Sequence, residues 1–253
     1  MPDKLERLDW AERWLGDGFR VIEVPGGFAT IDIDMTRGVA LVERMRARGL
    51  KATPNHLFVR ACAIALARHP DLHQLVAGTR RMYPERVDIG LSVAGTTAFA
   101  PVMVIENAAN KRVLEIAEEV IRRVPEVRAK EEKDLTSMRR WGWLIPWGRL
   151  RRWLLRWLMG KVWFRRNLAG TFQLSCSHMM DVTVPFLFNS AAVIGMGRVR
   201  EAVVAVNGQP VVRKIVTMAC TIDHKIWDGL RAWRFMYELR KVLEEGELEG
   251  EVP

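Results

Sequence analysis

The period of apolar and polar positions changes several times along this chain, and each change marks an element. FATIDIDM (Phe28–Met35) alternates with period two, which predicts a strand with one buried face. TRGVALVERMRARG then places Val39, Val42 and Met45 at helical spacing, with Gly49 beyond the last turn. Thr53-Pro54 supplies a capping hydroxyl before a proline at the first helical position. The helix that follows, HLFVRACAIALARHP, is apolar nearly all round, so it is expected to be central and to end at Pro70. RVDIGLSVAG and FAPVMVIEN are β-type runs separated by Gly95-Thr96-Thr97, and ANKRVLEIAEEVIRRVPEV sets Val113, Ile116, Val120 and Val124 on one helical stripe. GTFQLSC, AAVIGMGRV, AVVAVNGQPVV and KIVTMACTI read as successive strands, with Asn207-Gly208 as a hairpin turn. LRAWRFMYELRKVLEEG is the closing helix. Residues 1–20 read as a short amphipathic helix, and the last few residues as frayed. With no internal repeat and no flexible linker, 1–253 is predicted to be a single α/β domain with a mainly non-local sheet.

Composition narrows the class. At 253 residues, 49% hydrophobic and 27% charged, the chain can bury a full core, and disorder and small disulfide scaffolds are excluded. Cys62, Cys176 and Cys220 are odd in number and widely spread, so they read as reduced packing residues of a cytosolic protein, with no metal site expected. The N-terminus is charged and lacks a secretory h-region, and arginine interrupts every apolar stretch short of a membrane span of ~18 residues. The formal charge of +9 is concentrated: Arg139–Arg166 contains nine cations and no acid, and the rest of the chain is neutral.

Candidate chemistry centres on Thr221-Ile222-Asp223-His224-Lys225-Ile226-Trp227-Asp228-Gly229, between a predicted strand and a predicted helix. A histidine leaving a sheet edge suits a general base, because its ordinary pKa lies near physiological pH. Asp228 can bend back to hold the loop, or cap the next helix, and Gly229 permits a tight entry. Taken alone, this string also describes a surface histidine beside a capping aspartate. His56, His69 and His73 read as packing or cap residues. Gly195 and Gly197 form a G-x-G without the third glycine or the helix of a nucleotide fingerprint.

ACTIDHKIWDGLRAWRFMYELRKVLE resembles the C-terminal signature of the dihydrolipoyl acyltransferase catalytic domain of 2-oxo acid dehydrogenase complexes, where a strand leads into Asp-His-Arg-x-x-Asp-Gly and a helix. TPNHLFVRACAIALARHPDLHQL, RVDIGLSVAG, VLEIAEEVIRRV, GTFQLSC and FLFNSAAVIGMGRVRE are similar, in order, to further segments of that family, with His73 where asparagine is usual. Chloramphenicol acetyltransferases share the fold and the His-x-x-x-Asp-Gly string, but usually have a second histidine where Asp223 stands. The resemblance implies a chloramphenicol acetyltransferase-like two-layer sandwich of mixed sheet and helices, forming a homotrimer or a higher multiple of trimers. It implies His224 as catalytic base, Ser175 as the donor that stabilises the oxyanion, and Asp228 as a loop-organising residue. His178, three positions beyond Ser175, is a possible substrate contact. The two active residues are then expected to meet between neighbouring subunits. Coenzyme A thioester is the implied co-substrate. The chain begins almost at the catalytic core, so no covalently bound lipoate is expected, and the acyl group would arrive on acyl-CoA or on a separate acyl carrier.

Residues 136–167 depart from the family as a Trp/Arg-rich insert holding six of the ten tryptophans. Wound at about 100° per residue, Trp147–Met159 puts Arg149, Arg152 and Arg156 on one narrow face and Leu150, Trp153, Leu154, Trp157 and Leu158 on the other, with Arg151 the exception. Trp147, Trp153, Trp157, Arg149, Arg152 and Arg156 are therefore candidate contacts to an anionic membrane surface. The competing reading docks the apolar face on the protein itself or on a neighbouring subunit. Nucleic acid is not expected, since phosphate tracking has no use for so many tryptophans. The sequence thus predicts a cytoplasmic CoA-dependent acyltransferase, peripheral at the inner face of the membrane, acting on a thiol, hydroxyl or amine and handling a lipidic substrate. The alternatives are a dihydrolipoyl acyltransferase serving a separate lipoyl protein, and a non-catalytic trimeric scaffold or membrane-binding module.

Overall fold

The computed structural model describes residues 9–21, 26–77, 80–96, 100–187 and 190–251. The predicted start of the first helix (1–8) and the tip of the connection at 97–99 lie outside the described residues. In chain order the elements are α1 (Trp10–Arg20), β1 (Gly26–Asp34), α2 (Thr36–Ala47), α3 (Pro54–Arg68), β2 (Leu75–Ala77), β3 (Arg80–Met82), β4 (Ile89–Ser92) and β5 (Val102–Ile105). There follow α4 (Val113–Trp141), α5 (Gly148–Met159), α6 (Val162–Ala169), β6 (Phe172–Cys176), β7 (Ala192–Met196), β8 (Arg200–Val206), β9 (Gln209–Asp223) and α7 (Gly229–Glu244).

One seven-stranded mixed sheet has the order β1-β9-β7-β6-β4-β5, with β8 also paired to β9; β4, β6 and β7 run parallel to their neighbours in that set and the remaining pairs are antiparallel. Strand parity assigns its two faces. Ile89, Leu91, Phe172, Leu174, Ile194, Met218, Cys220 and Ile222 point into a continuous core with α2, α3 and α7. Their alternates, among them Ser92, Gln173, Ser175 and Val193, point to the opposite face, where the insert helices lie. Burial pushes the thiols of Cys176 and Cys220 up to about 12 and that of Cys62 well above its ordinary value, which keeps them protonated packing groups.

The central helix is as predicted, Pro54 to Arg68, and His56 caps it, its Nδ1 accepting the Thr53 N–H at 3.2 Å. Three expectations are corrected. GQPVV and KIVTMACTI form one strand of 15 residues, because β9 finds β8 along its first half, β7 along its second, and β1 along most of its length. The helix expected to end near Val127 runs on to Trp141. The tail is not frayed over Glu247–Glu251: Leu248 is buried, and Glu251 accepts from the Arg60 guanidinium at 2.7 Å and from the Val113 N–H at 3.1 Å.

The insert consists of the end of α4, a 3-10 turn at Gly142–Leu144, α5 and α6. The arginine face read from the sequence is kept in part on α5: Arg149 and Arg156 are exposed and Arg151 is set apart as expected, but Arg152 turns inward with it. Arg151 is 6% exposed and bonds the Asp17 carboxylate of α1 at 2.7 Å, while its guanidinium also donates to the carbonyls of Ile145 and Pro146. Arg152 reaches the other Asp17 oxygen at 2.8 Å. A single buried carboxylate thus rotates the helix so that Arg151, Arg152, Leu155 and Met159 face inward, and Trp153 and Trp157 stand exposed beside Arg149 and Arg156. Leaving either charge of the Asp17–Arg151 pair unmatched would cost several kcal/mol.

Candidate active site

His224 is placed by the end of β9. The Asp223 N–H still donates to the Ala191 carbonyl at 2.9 Å, and then the chain turns: the Asp223 carbonyl accepts the N–H groups of Ile226 and Trp227, both at 2.9 Å, and its carboxylate accepts the Lys225 N–H at 3.0 Å. His224 and Lys225 form the exposed tip of this turn. Its base is Trp227, fully buried, packed against Phe172 and Phe235, with its indole N–H donating to the Leu72 carbonyl at 2.9 Å. Asp228 caps α7, accepting the Arg231 N–H at 2.8 Å and pairing with the Arg231 guanidinium at 3.1 Å. These contacts are those of a helix N-cap, the second of the two readings of Asp228.

A glycine on the neighbouring strand makes room for the imidazole. Gly27 of β1 pairs with Ile222, and a Cβ built there would sit 2.9 Å from His224 Nε2. Sequence reasoning missed this residue, although a Gly26-Gly27 doublet opening a strand is a signal of close approach. Gly27→Ala is expected to displace the ring and lower kcat at least tenfold while leaving the thermal midpoint within a few degrees, because β1 is an edge strand and Gly27 is only part-buried. Steady-state kinetics beside a melting curve checks this; unchanged kcat would show that the ring position does not matter.

Ser175 lies on the other face of the sheet, in a groove of about 1000 Å³ that also holds Gln173, Ser92 and Val193 on its floor. The walls are α4, through Val127, Leu135 and Met138, and the insert helices, through Leu155, Met159, Phe164 and Leu168. Pro185 and Phe186 close one side. They belong to an extended segment that crosses β7, and the two glycines of the G-x-G serve this crossing: a Cβ at Gly195 would meet the Thr183 carbonyl oxygen, and one at Gly197 that of Asp181. The motif thus serves a close backbone crossing. His178 is exposed on the turn after β6 and is not among the residues lining the groove. His73 is buried, and burial pushes its pKa down to about 4, so it stays neutral.

The structure does not bring Ser175 and His224 together within one chain. Ser175 pairs with Gly195, which pairs with Ala219, and His224 lies five residues farther along β9. At ~3.3 Å per residue and ~4.8 Å between strands, the two backbone positions are roughly 19 Å apart.

Comparison with known proteins places this arrangement. The dihydrolipoyllysine-residue succinyltransferase component of the mitochondrial 2-oxoglutarate dehydrogenase complex of Saccharomyces cerevisiae is 26% identical over 206 residues, covering 80% of this chain and 38% of that protein. The chain thus spans about two fifths of that relative's length. A dihydrolipoamide acetyltransferase of Azotobacter vinelandii superposes with a TM-score of 0.75 at 20% identity, covering 98% of this chain and 95% of the other. Chloramphenicol acetyltransferase superposes with a TM-score of 0.53 at 14% identity, covering 96% and 99%. These likenesses establish the chloramphenicol acetyltransferase-like fold. Residues 22–136 and 179–249 match the 2-oxoacid dehydrogenases acyltransferase family, catalytic domain, and the gap between them takes in both the insert and the serine strand. The chain belongs to that acyltransferase family.

Proposed function

We propose that this protein transfers an acyl group from a coenzyme A thioester to a thiol, hydroxyl or amine, with His224 of one copy and Ser175 of its neighbour serving the same carbonyl. The separation of the two backbone positions carries this reading. A nucleophile and the carbonyl it attacks lie ~3–3.5 Å apart, so a base and an oxyanion donor on positions roughly 19 Å apart cannot serve one thioester. A head-to-tail ring of copies, most simply a trimer, gives every site one of each. The Azotobacter vinelandii acetyltransferase is described through the catalytic roles of a serine, a histidine and an asparagine, the last two four positions apart. His224 and Asp228 have that spacing, with aspartate in place of asparagine.

His224 removes the proton from the acceptor as its sulfur, oxygen or nitrogen attacks the thioester carbon. The carbonyl oxygen becomes an oxyanion and accepts a hydrogen bond from the Ser175 hydroxyl. Collapse of the intermediate breaks the carbon–sulfur bond, and the departing thiolate takes the proton back from the imidazolium, so the base is restored. Asp228 acts through the start of α7, fixing the turn that presents the ring.

The apolar wall that Leu155, Met159, Phe164 and Leu168 give the Ser175 groove favours a lipidic acyl chain or acceptor. A second reading, a dihydrolipoyl thiol on a carrier protein as acceptor, is favoured by the succinyltransferase likeness. A scaffold needs neither a histidine seated over a glycine nor a serine in a groove. Coenzyme A release from acetyl-, succinyl- and palmitoyl-CoA, with dihydrolipoamide as acceptor, separates these readings. Palmitoyl preference is expected; a preference for the short acyl groups would favour the second reading, and equal rates for wild type and His224→Ala would remove catalysis altogether.

A further inference from the structure

The insert turns a ridge of tryptophans outward. On α5, Leu150, Trp153 and Trp157 lie three and four residues apart and so share one side, which Trp147 extends at the N-terminus; Trp143 and Leu144, in the turn before it, are also exposed. Trp147 is 69% exposed, Trp153 61% and Trp157 48%. Arg149 and Arg156 occupy the flank of the same ridge, and the Lys161 ammonium sits 4.7 Å above the Trp157 ring. Among the described residues, acids pair with other cations of the insert: Asp9 with Arg139, Asp17 with Arg151 and Arg152, and Asp88 with Arg166. No acid occurs in Arg139–Arg166 itself.

We infer that this ridge docks on an anionic lipid bilayer, with α5 lying in the plane of the headgroups, its indoles at the boundary with the acyl chains and Arg149 and Lys161 on lipid phosphates. Charge and shape favour a bilayer. Indoles and cations share one convex arc, so a solid apolar partner would have to bury guanidinium and ammonium groups. A headgroup layer places phosphates within one side-chain length of hydrocarbon, and long basic side chains bend to meet them. Nucleic acid offers the phosphates but nothing for Leu144 and Leu150. No helix among the described residues is long and apolar enough to cross a membrane, so the contact is interfacial. The opposite side of α5 carries Leu155 and Met159 into the groove that holds Ser175, which puts lipid and candidate site one helix diameter apart.

Flotation of the purified full chain with vesicles tests the inference. Wild type is expected to float with phosphatidylcholine vesicles containing phosphatidylglycerol, less so with phosphatidylcholine alone, and to be released by high salt. Trp147→Ser/Trp153→Ser/Trp157→Ser should weaken partitioning at least tenfold with an unchanged oligomer mass. Arg149→Glu/Lys161→Glu should lower binding to the charged vesicles about fivefold or more per cation and leave little salt dependence. Wild type remaining unbound with charged vesicles, or either variant floating like wild type, overturns the inference. So does dissociation of the oligomer in the tryptophan variant, which would make the ridge a contact between copies; should that variant fail to fold, the charge variant decides.

Discussion

Co-expression of His224→Ala chains with Ser175→Ala chains is expected to restore about a quarter of wild-type acyl transfer, although each variant alone is nearly inactive. The single losses follow from what each group supplies. A positioned base contributes about 10²–10⁴-fold, and one oxyanion donor about 10²–10³-fold. The recovery follows from geometry. The two backbone positions are roughly 19 Å apart along the sheet of one chain, so the proposed mechanism draws the imidazole of each site from one copy and its hydroxyl from the next. In a randomly mixed ring, half of the positions offer an intact histidine and half of their neighbours an intact serine, so about one site in four is complete whatever the ring size. A site within a single chain would give no recovery, since every chain in the mixture lacks one group. Steady-state coenzyme A release by the co-purified mixture, set against each variant alone, distinguishes these outcomes.

Much of the fold was legible because local patterns and tertiary packing agree. The Thr53-Pro54 start, the Pro70 stop and the Asn207-Gly208 turn lie where the chain chemistry places them, and the turn residues both have positive φ. Within β6 the two-residue alternation sorts the faces, Phe172, Leu174 and Cys176 packing with the core while Gln173 and Ser175 face the groove, whereas edge strand β1 buries only Ile33 of its alternating residues and leaves Phe28 exposed. Two features depend on contacts far apart in the chain and left little local trace. The rotation of α5 is set by Asp17, 134 residues before Arg151. A helical wheel sets Arg152 on the polar face, but the buried carboxylate turns it inward. The room for His224 is set by Gly27, about two hundred positions earlier, whose role is the absence of a side chain. Ser175 was legible only together with His224, because a serine on a half-buried strand is ordinary. Insert helices outside the matched segments of the family supply one wall of its groove.

Trp227→Ala is expected to destabilise the folded chain by about 3–5 kcal/mol, a cost typical of emptying a tryptophan-sized core site. Trp227 has no exposed surface and packs 6.1 Å from Phe172 on β6 and 5.4 Å from Phe235 on α7, measured between ring centres. It therefore joins the strand that bears the candidate serine to the helix that follows the candidate histidine. Its N–H also satisfies the Leu72 carbonyl, which a smaller apolar residue would leave unpaired inside the protein. For a chain of this length each kcal/mol moves the melting midpoint by about 2–4 °C, so the expected fall is on the order of 6–20 °C. Trp227→Phe separates packing from hydrogen bonding: it keeps most of the ring and should cost about 1–3 kcal/mol, mainly through the orphaned carbonyl. Urea titrations of the three proteins give these differences directly. If Trp227→Ala lost less than about 1 kcal/mol, the site would have to collapse without a cavity, and the indole would not be what holds the turn beneath His224. If the loss is as large as expected, activity should fall with it even where the protein remains folded, because His224 lies three residues before the ring that anchors its turn.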